Sequence, residues 1–216
     1  MKLKICGMKL NTEEVATLQP DYLGFIFWEP SSRYFKGSIP DDLVNAKKVG
    51  VFVNAPLEEI VLRLFEYDLH AIQLHGEEDP EYCRKIKTLI ANDHISKIEI
   101  IKAFAVDEQF NFNMLSQFEN VCDYFLFDTR GILPGGTGKK FDWQLLGEYP
   151  SKKPYFLSGG IGSSDAKTIL DFMSKPEAKY CHSIDINSKF ESEPGLKNIQ
   201  ALKKFTEDIG HVPSKK

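Results

Sequence analysis

The sequence predicts an α/β fold, a single (β/α)8 barrel of the TIM type, and three observations support this prediction. Short apolar segments alternate with longer amphipathic or polar segments along the 216 residues, which is typical of repeated βα units. Eight such apolar segments occur, and eight parallel strands are the number at which a closed barrel just fills with side chains. No G-x-G-x-x-G follows the first strand, so an open, doubly wound sheet is the less favoured alternative.

The eight predicted strands are short apolar runs that end where polar residues or glycines begin, as strands followed by βα loops do. In chain order they are Lys2–Cys6, Tyr22–Phe27, Lys48–Val53, Ala71–Leu74, Ile98–Phe104, Tyr124–Asp128, Pro154–Leu157 and Ser183–Ile186.

The segments between the strands carry helical signals. Leu57, Ile60 and Leu64 recur at helical spacing, so one face of that segment packs inward. Asn54 precedes Pro56 and Asp79 precedes Pro80, which are start signals for helices. The connection after the second strand is weak, because little follows Pro40-Asp41-Asp42-Leu43 before the next strand. The clearest predicted helices are Pro56–Tyr67, Pro80–Ala91, Asp142–Glu148, Ser164–Met173 and Leu196–Asp208.

Composition favours one globular domain over residues 1–210, with a frayed tail at 211–216. Hydrophobic residues make up 42% of the chain and charged residues 27%, which allows a sizeable core. A net charge of −4 gives no electrostatic footprint for nucleic acid, and no run is apolar and long enough to cross a membrane. The N-terminus enters a strand with no signal-peptide pattern, and the four scattered cysteines form no CxxC pair. These features predict a cytoplasmic protein with reduced thiols.

Catalytic groups in such a barrel sit at the carboxyl ends of strands, and that rule selects Cys6 and Asp128. As a thiolate, Cys6 could act as base or nucleophile; the alternative is a buried thiol that only fills the core. Burial would raise the pKa of Asp128 and make it a plausible general acid. The alternative is an ion pair with Lys4, which lies on the same strand face as Cys6 and would lower that pKa.

Two glycine clusters predict an anion site. Ser158-Gly159-Gly160-Ile161-Gly162 follows the seventh strand and opens a helix, where phosphate sites of barrels are commonly found; a plain tight turn is the alternative. After the eighth strand, Asp185-Ile186-Asn187-Ser188 supplies small polar groups for the other half. The long loop Arg130–Phe141, which includes Gly136, predicts a mobile flap over an anion.

Two further side chains follow predicted strands. Arg33 could fork onto a carboxylate or phosphate, although a solvated loop arginine is the alternative. His75 ends the fourth strand and could line the pocket, but a lone histidine is more often structural than catalytic.

Several motifs occur in a fixed order along nearly the whole chain and are specific as a set. They are Lys4-Ile5-Cys6-Gly7, Gly50-Val51-Phe52-Val53-Asn54, Gln73-Leu74-His75-Gly76, Asp128, Gly135-Gly136-Thr137-Gly138-Lys139 with Phe141-Asp142-Trp143, and Leu157-Ser158-Gly159-Gly160. With these motifs the sequence resembles the phosphoribosylanthranilate isomerase family of the tryptophan pathway.

The resemblance implies a (β/α)8 barrel that converts N-(5-phosphoribosyl)anthranilate into 1-(2-carboxyphenylamino)-1-deoxyribulose 5-phosphate by an Amadori rearrangement. It implies that Cys6 is the general base, that Asp128 is the general acid, and that Arg33 holds the anthranilate carboxylate. No cofactor and no metal are implied, because this isomerisation needs no external redox partner. A small phosphosugar is the implied partner, and the oligomeric state is left open. The candidate substrate-binding residues are Arg33, Gly136, Gly159, Gly160, Asp185, Asn187 and Ser188.

One departure from the family pattern concerns the phosphate site. Where the family usually reads Ser-Ser-Gly after the eighth strand, this chain has Asn187-Ser188-Lys189. A lysine would be costly there if the third position needed a positive φ. Two alternatives to the isomerase are another phosphosugar barrel enzyme, in which the pair of Cys6 and Asp128 is not expected, and a barrel that binds a phosphorylated ligand without turning it over.

Overall fold

The computed structural model describes residues 1–40, 43, 46–92, 98–129 and 140–213. Eight parallel strands pair in chain order, and the first pairs with the eighth, so the sheet closes into the predicted barrel. Observed and predicted strands differ by at most two residues at either end. The strands are β1 (Lys2–Cys6), β2 (Tyr22–Ile26), β3 (Lys47–Phe52), β4 (Ala71–Leu74), β5 (Glu99–Val106), β6 (Tyr124–Thr129), β7 (Tyr155–Leu157) and β8 (Cys181–Ile186).

Alternation along each strand divides the core into two layers. One apolar cluster fills the inside of the barrel, with large rings next to small side chains as in other barrels of eight strands. The larger cluster lies between the sheet and the surrounding helices. The members of the inner cluster are Tyr22, Val49, Ala71, Ile101, Ala103, Leu126 and Phe156.

The connections are a mixture of α-helices and 3-10 segments. The predicted helix Asp142–Glu148 is a 3-10 segment, and the Asp142 carboxylate accepts a hydrogen bond from the backbone of Gln144 at its start. The α-helices are α1 (Thr12–Ala16), which was not predicted, α2 (Leu57–Tyr67), α3 (Pro80–Asn92), α4 (Ala166–Met173) and α5 (Ile199–Asp208). The 3-10 segments are Phe112–Phe118, Trp143–Glu148, Ser163–Asp165, Pro176–Tyr180 and Ser188–Phe190.

The predicted start of the last helix at Leu196 is wrong. Strands β9 (Glu191–Glu193) and β10 (Leu196–Lys197) form a small antiparallel hairpin at this position. Gly195 has a φ of +88°, a turn conformation that ends any continuous helix. The helix α5 begins only after Asn198, whose side chain accepts a hydrogen bond from the backbone of Ala201.

The predicted tail is described only as far as residue 213. His211 is packed against the barrel, since its side chain is 1% exposed and its ring nitrogen lies 3.3 Å from the carbonyl oxygen of Gln19. The domain boundary at residue 210 stays a prediction. Across the part of the chain that is described, no helix has the length and apolar character needed to span a bilayer.

Candidate active site

One cavity, partly open to solvent, lies at the carboxyl ends of the strands. It brings together residues from β1, β2, β3, β4, β6 and β8 and from the loops after β2, β3, β4, β7 and β8. Of the nine residues predicted from the sequence, Gly136 lies outside the described residues. The other eight line this cavity: Cys6, Arg33, Asp128, Gly159, Gly160, Asp185, Asn187 and Ser188.

Cys6 is the last residue of β1, and its side chain faces the cavity. The neighbouring position on β2 is Gly24, where a Cβ atom would come within 2.8 Å of Sγ of Cys6, so glycine leaves the thiol its space. Burial raises the pKa of the Cys6 thiol, while the positive charges of Lys4 and Lys197 oppose that rise. The resting group is therefore a thiol, and the two lysines stabilise the thiolate when it forms.

Closure of the barrel pairs Lys4 with Asp185. The two residues are direct neighbours in the β1–β8 register, and Nζ of Lys4 donates to both carboxylate oxygens, at 3.0 and 2.9 Å. Burial alone would lower the pKa of Lys4, but the charge of Asp185 and the hydrogen bonds to its carboxylate outweigh burial and raise the pKa. Lys4 is thus ionised. The hypothesis that Lys4 pairs with Asp128 is wrong.

Asp128 has a histidine partner instead. Oδ2 of Asp128 lies 3.3 Å from Nε2 of His75, and Oδ1 accepts a hydrogen bond from the backbone of Thr129 at 2.8 Å. On the other side of the imidazole, Nδ1 lies 2.6 Å from the side-chain amide of Gln73. A chain of polar groups from β4 therefore orients the carboxyl group at the end of β6. His75 lines the cavity, as the sequence suggested, and its contact with Asp128 was not predicted.

The loop after β7 has the backbone that an anion cradle requires. Gly159 and Gly160 have φ values of +99° and +62°, and a Cβ atom at Gly159 would lie 2.9 Å from the backbone nitrogen of Thr129. The backbone of Gly162 donates to Asp165 at 2.6 Å, and Lys140 also pairs with Asp165. At Gly159, both the backbone conformation and the lack of space for a side chain require glycine. The loop leads into α4, whose N-terminus favours negative charge.

The loop after β8 completes that side of the cavity. Asn187 and Ser188 line it, and the 3-10 segment that follows contains Lys189. Lys189 is not among the described residues with a positive φ, so a lysine at this position costs no left-handed strain. A Cβ atom at Gly162 would lie 3.4 Å from Cβ of Lys189, so the loops after β7 and β8 lie side by side.

Arg33 lies at the cavity rim and contacts a carboxylate of this chain. Its Nε and Nη2 atoms donate to Glu191 at distances of 2.6 to 3.0 Å. Burial alone would raise the pKa of Glu191, but its contacts with Arg33 and Lys197 outweigh burial and lower the pKa. Neither Glu191 nor Lys197 was predicted. In the sequence, a lysine that becomes buried cannot be told from a surface lysine. The only local signal for the hairpin that buries Lys197 was the Pro194-Gly195 turn.

Comparisons with known proteins agree on one family. The family model described as N-(5'-phosphoribosyl)anthranilate (PRA) isomerase matches residues 3–208. A protein of Parabacteroides distasonis with the name N-(5'-phosphoribosyl)anthranilate isomerase is 40% identical over 219 residues, covering 98% of this chain and 94% of the relative.

Solved structures give the same result. The phosphoribosyl anthranilate isomerase of Thermotoga maritima superposes with a TM-score of 0.76 at 29% identity, over 97% of this chain and 98% of its own. A structure of such an isomerase in complex with reduced 1-(o-carboxyphenylamino)-1-deoxyribulose 5-phosphate gives a TM-score of 0.72 at 28% identity, with the same coverage. The chain therefore belongs to the N-(5'-phosphoribosyl)anthranilate isomerase family.

Proposed function

We propose that this protein is an isomerase of L-tryptophan biosynthesis that converts N-(5-phosphoribosyl)anthranilate into 1-(2-carboxyphenylamino)-1-deoxyribulose 5-phosphate. The reaction is an Amadori rearrangement, an intramolecular oxidation and reduction of an aminoaldose to an aminoketose. One observation carries the proposal: a thiol, Cys6, and a carboxyl group, Asp128, line the same cavity as a glycine-rich loop suited to phosphate, in a chain of this family.

Asp128 is proposed as the general acid. It donates a proton to the ring oxygen of the furanose, and the bond between that oxygen and C1 breaks to give an open-chain iminium ion. The contacts of Asp128 with His75 and the backbone of Thr129 support this role, because they hold the carboxyl group in one orientation at the cavity wall. A positioned acid of this kind contributes about 100- to 10,000-fold to the rate.

Cys6 is proposed as the general base. The iminium ion makes the proton on C2 acidic, so a weak base such as a thiolate can remove it. The electron pair of the C2–H bond forms a double bond between C2 and C1 while the iminium electrons return to the nitrogen, which gives an enolamine. The enolamine then gains a proton at C1 from the Cys6 thiol, and its C2 hydroxyl group loses a proton to the Asp128 carboxylate, which forms the ketone. The nearby ammonium groups of Lys4 and Lys197 support this role, since they stabilise the thiolate that must form first.

The two ends of the substrate carry negative charge, and the cavity has a suitable group for each. The backbone amides after β7, together with the loop after β8, are proposed to bind the phosphate. Arg33 is proposed to bind the anthranilate carboxylate, for which a guanidinium fork is well matched. The substrate is then fixed at both ends with its C1 and C2 atoms between Cys6 and Asp128.

The reaction as proposed uses no cofactor. Oxidation at C2 and reduction at C1 balance within the substrate, so no external electron acceptor takes part, and acid and base return to their starting protonation states. A cytoplasmic location is also part of the proposal. It is supported by the four free cysteines, which suit a reducing compartment, and fractionation of cells of the source organism with activity assays would test it.

The experiment that tests the function is direct. The purified protein is mixed with freshly made N-(5-phosphoribosyl)anthranilate, the decay of substrate fluorescence is followed, and the product is identified by mass spectrometry. A Cys83→Ala variant serves as control, since Cys83 is buried in α3 away from the cavity. Conversion to the aminoketose by the wild type and this variant is expected. Binding without turnover would favour the non-catalytic alternative.

A further inference from the structure

The guanidinium group of Arg33 is held by one edge only. Nε donates to both carboxylate oxygens of Glu191, at 3.0 and 2.9 Å, and Nη2 donates to Oε2 at 2.6 Å. Within the described part of the chain, Nη1 has no hydrogen-bond partner. Because Nε and Nη2 form one fork and Nη1 and Nη2 form the other, Glu191 occupies the first fork and leaves the second available at the cavity rim.

The carboxylate of Glu191 is held in place by further hydrogen bonds within the hairpin. Lys197 donates to Oε1 of Glu191 at 2.8 Å, and the backbone of Gly195 donates to the same oxygen at 3.2 Å. The side chain of Glu191 is 4% exposed and that of Lys197 is fully buried. The hairpin of β9 and β10 therefore holds the carboxylate still, and the carboxylate holds the guanidinium.

The charges in this cluster do not cancel. Lys197 also donates to the backbone oxygen and to Oδ1 of Asn187, at 3.2 and 2.9 Å, so its three N–H groups have three acceptors. Arg33 and Lys197 share a single carboxylate, which leaves one positive charge. All three N–H groups of Lys197 already have acceptors. A ligand can therefore meet the excess positive charge only at the open fork of Arg33.

We infer that Glu191 is a positioning residue that aims the open fork of Arg33 at a carboxylate on the substrate's aromatic ring, with Lys197 holding Glu191 in place. The inference rests on the proposed function and adds a basis for its specificity. The site binds substrates with the ring carboxylate of anthranilate more tightly than aminosugars that differ only in lacking this carboxylate. If the contact between Glu191 and Arg33 only held the hairpin against the loop after β2, its loss would affect the binding of ligands with and without the ring carboxylate equally.

The test compares two ligands and three forms of the protein. The ligands are reduced 1-(o-carboxyphenylamino)-1-deoxyribulose 5-phosphate and its analogue without the ring carboxylate. Wild type, Glu191→Gln and the control Glu193→Gln, an exposed glutamate of the same strand, are titrated by calorimetry. We expect Glu191→Gln to weaken binding of the carboxylated ligand by about tenfold or more, since it removes a charge-assisted bidentate contact, and to leave the other ligand within about twofold. Glu193→Gln is expected to change neither.

A second variant guards against simple misfolding. Glu191→Asp keeps a negative charge opposite Lys197 but draws the carboxylate back from Arg33 by one methylene, so it is expected to show the same selective loss. Equal weakening of both ligands in both variants, or no weakening in either, would overturn the inference while the wild type still binds. If the wild type binds neither ligand, the proposed function fails as well, and that result is distinct from the other two.

Discussion

Nζ of Lys4 contacts both carboxylate oxygens of Asp185 at the seam where β1 meets β8, two residues before Cys6. Lys4 is fully buried and the Asp185 side chain is 5% exposed. At this position of the seam, β1 and β8 are joined by an ion pair rather than by apolar side chains. The pair lies directly beside the proposed base. Removal of two buried charges from water is costly, so the pair is a poor way to gain stability and is better explained by the electrostatics of the thiol.

Breaking this pair should destabilise the barrel. Lys4→Met leaves the Asp185 carboxylate buried and unpaired, and we expect the free energy of unfolding to fall by about 3–5 kcal/mol. The double variant Lys4→Met/Asp185→Leu should recover most of the loss, because no unpaired charge remains. Urea unfolding measures both, with Arg84→Met in an exposed pair on α3 as control. A double variant no more stable than Lys4→Met would contradict this account of the pair.

The pH dependence of the rate should report the Cys6 thiol. The active form is the thiolate, and burial places the pKa of Cys6 above its ordinary value. The thiolate fraction, and with it kcat/KM, should therefore rise with pH from about pH 6 to beyond about pH 8.5, the ordinary thiol pKa. In Cys6→Asp the ordinary pKa of the base is about 4.6 units lower, so the rise of any residual activity should move to a correspondingly lower pH. A flat wild-type profile over the same range would rule out a thiol with a raised pKa as the base.

Removal of the Arg33 side chain should act mainly on binding. With the guanidinium gone, the ring carboxylate loses a charge-assisted fork, and we expect Arg33→Ala to raise KM by about tenfold or more. The effect on kcat should be smaller, because the reacting carbons are several bonds away. Lys36→Ala, an exposed cation in the same loop region, is the control in steady-state kinetics. An unchanged KM in Arg33→Ala would remove its carboxylate role.

A single methyl group should damage the phosphate loop. Gly159 has a φ of +99°, and a Cβ atom there would meet the backbone of Thr129. We expect Gly159→Ala to cost about 1–3 kcal/mol of stability and to weaken the binding of inorganic phosphate. Gly147→Ala is the matched control, because its nearest neighbour would be a side-chain atom of Glu177 at 3.5 Å. Thermal melting and phosphate titration follow both variants, and equal behaviour would speak against a strained cradle.

The strands and the two proposed catalytic groups could be predicted because each has a local signal. Cys6 and Asp128 both end apolar runs. Because catalytic groups of (β/α)8 barrels lie at the carboxyl ends of strands, that position predicts a functional role. The pairing of Lys4 could not be predicted, because it depends on the β1–β8 register that only the closed barrel defines. The predicted helix Leu196–Asp208 includes Lys197, which the structure places on β10, before α5 begins. The burial of Lys197 beside Glu191 arises from the hairpin, which the Pro194-Gly195 turn signals only weakly.

Single-turnover decay of N-(5-phosphoribosyl)anthranilate fluorescence tests the central claim most directly, with the wild type, Cys6→Ala and Asp128→Asn. Cys122→Ala and Asp171→Asn are the matched controls, a buried thiol outside the cavity and an exposed carboxylate on α4. If Cys6 and Asp128 are the base and the acid, each of the two variants loses about 100- to 10,000-fold in rate, while both controls keep the wild-type rate. A near wild-type rate in either Cys6→Ala or Asp128→Asn would contradict the acid–base assignment.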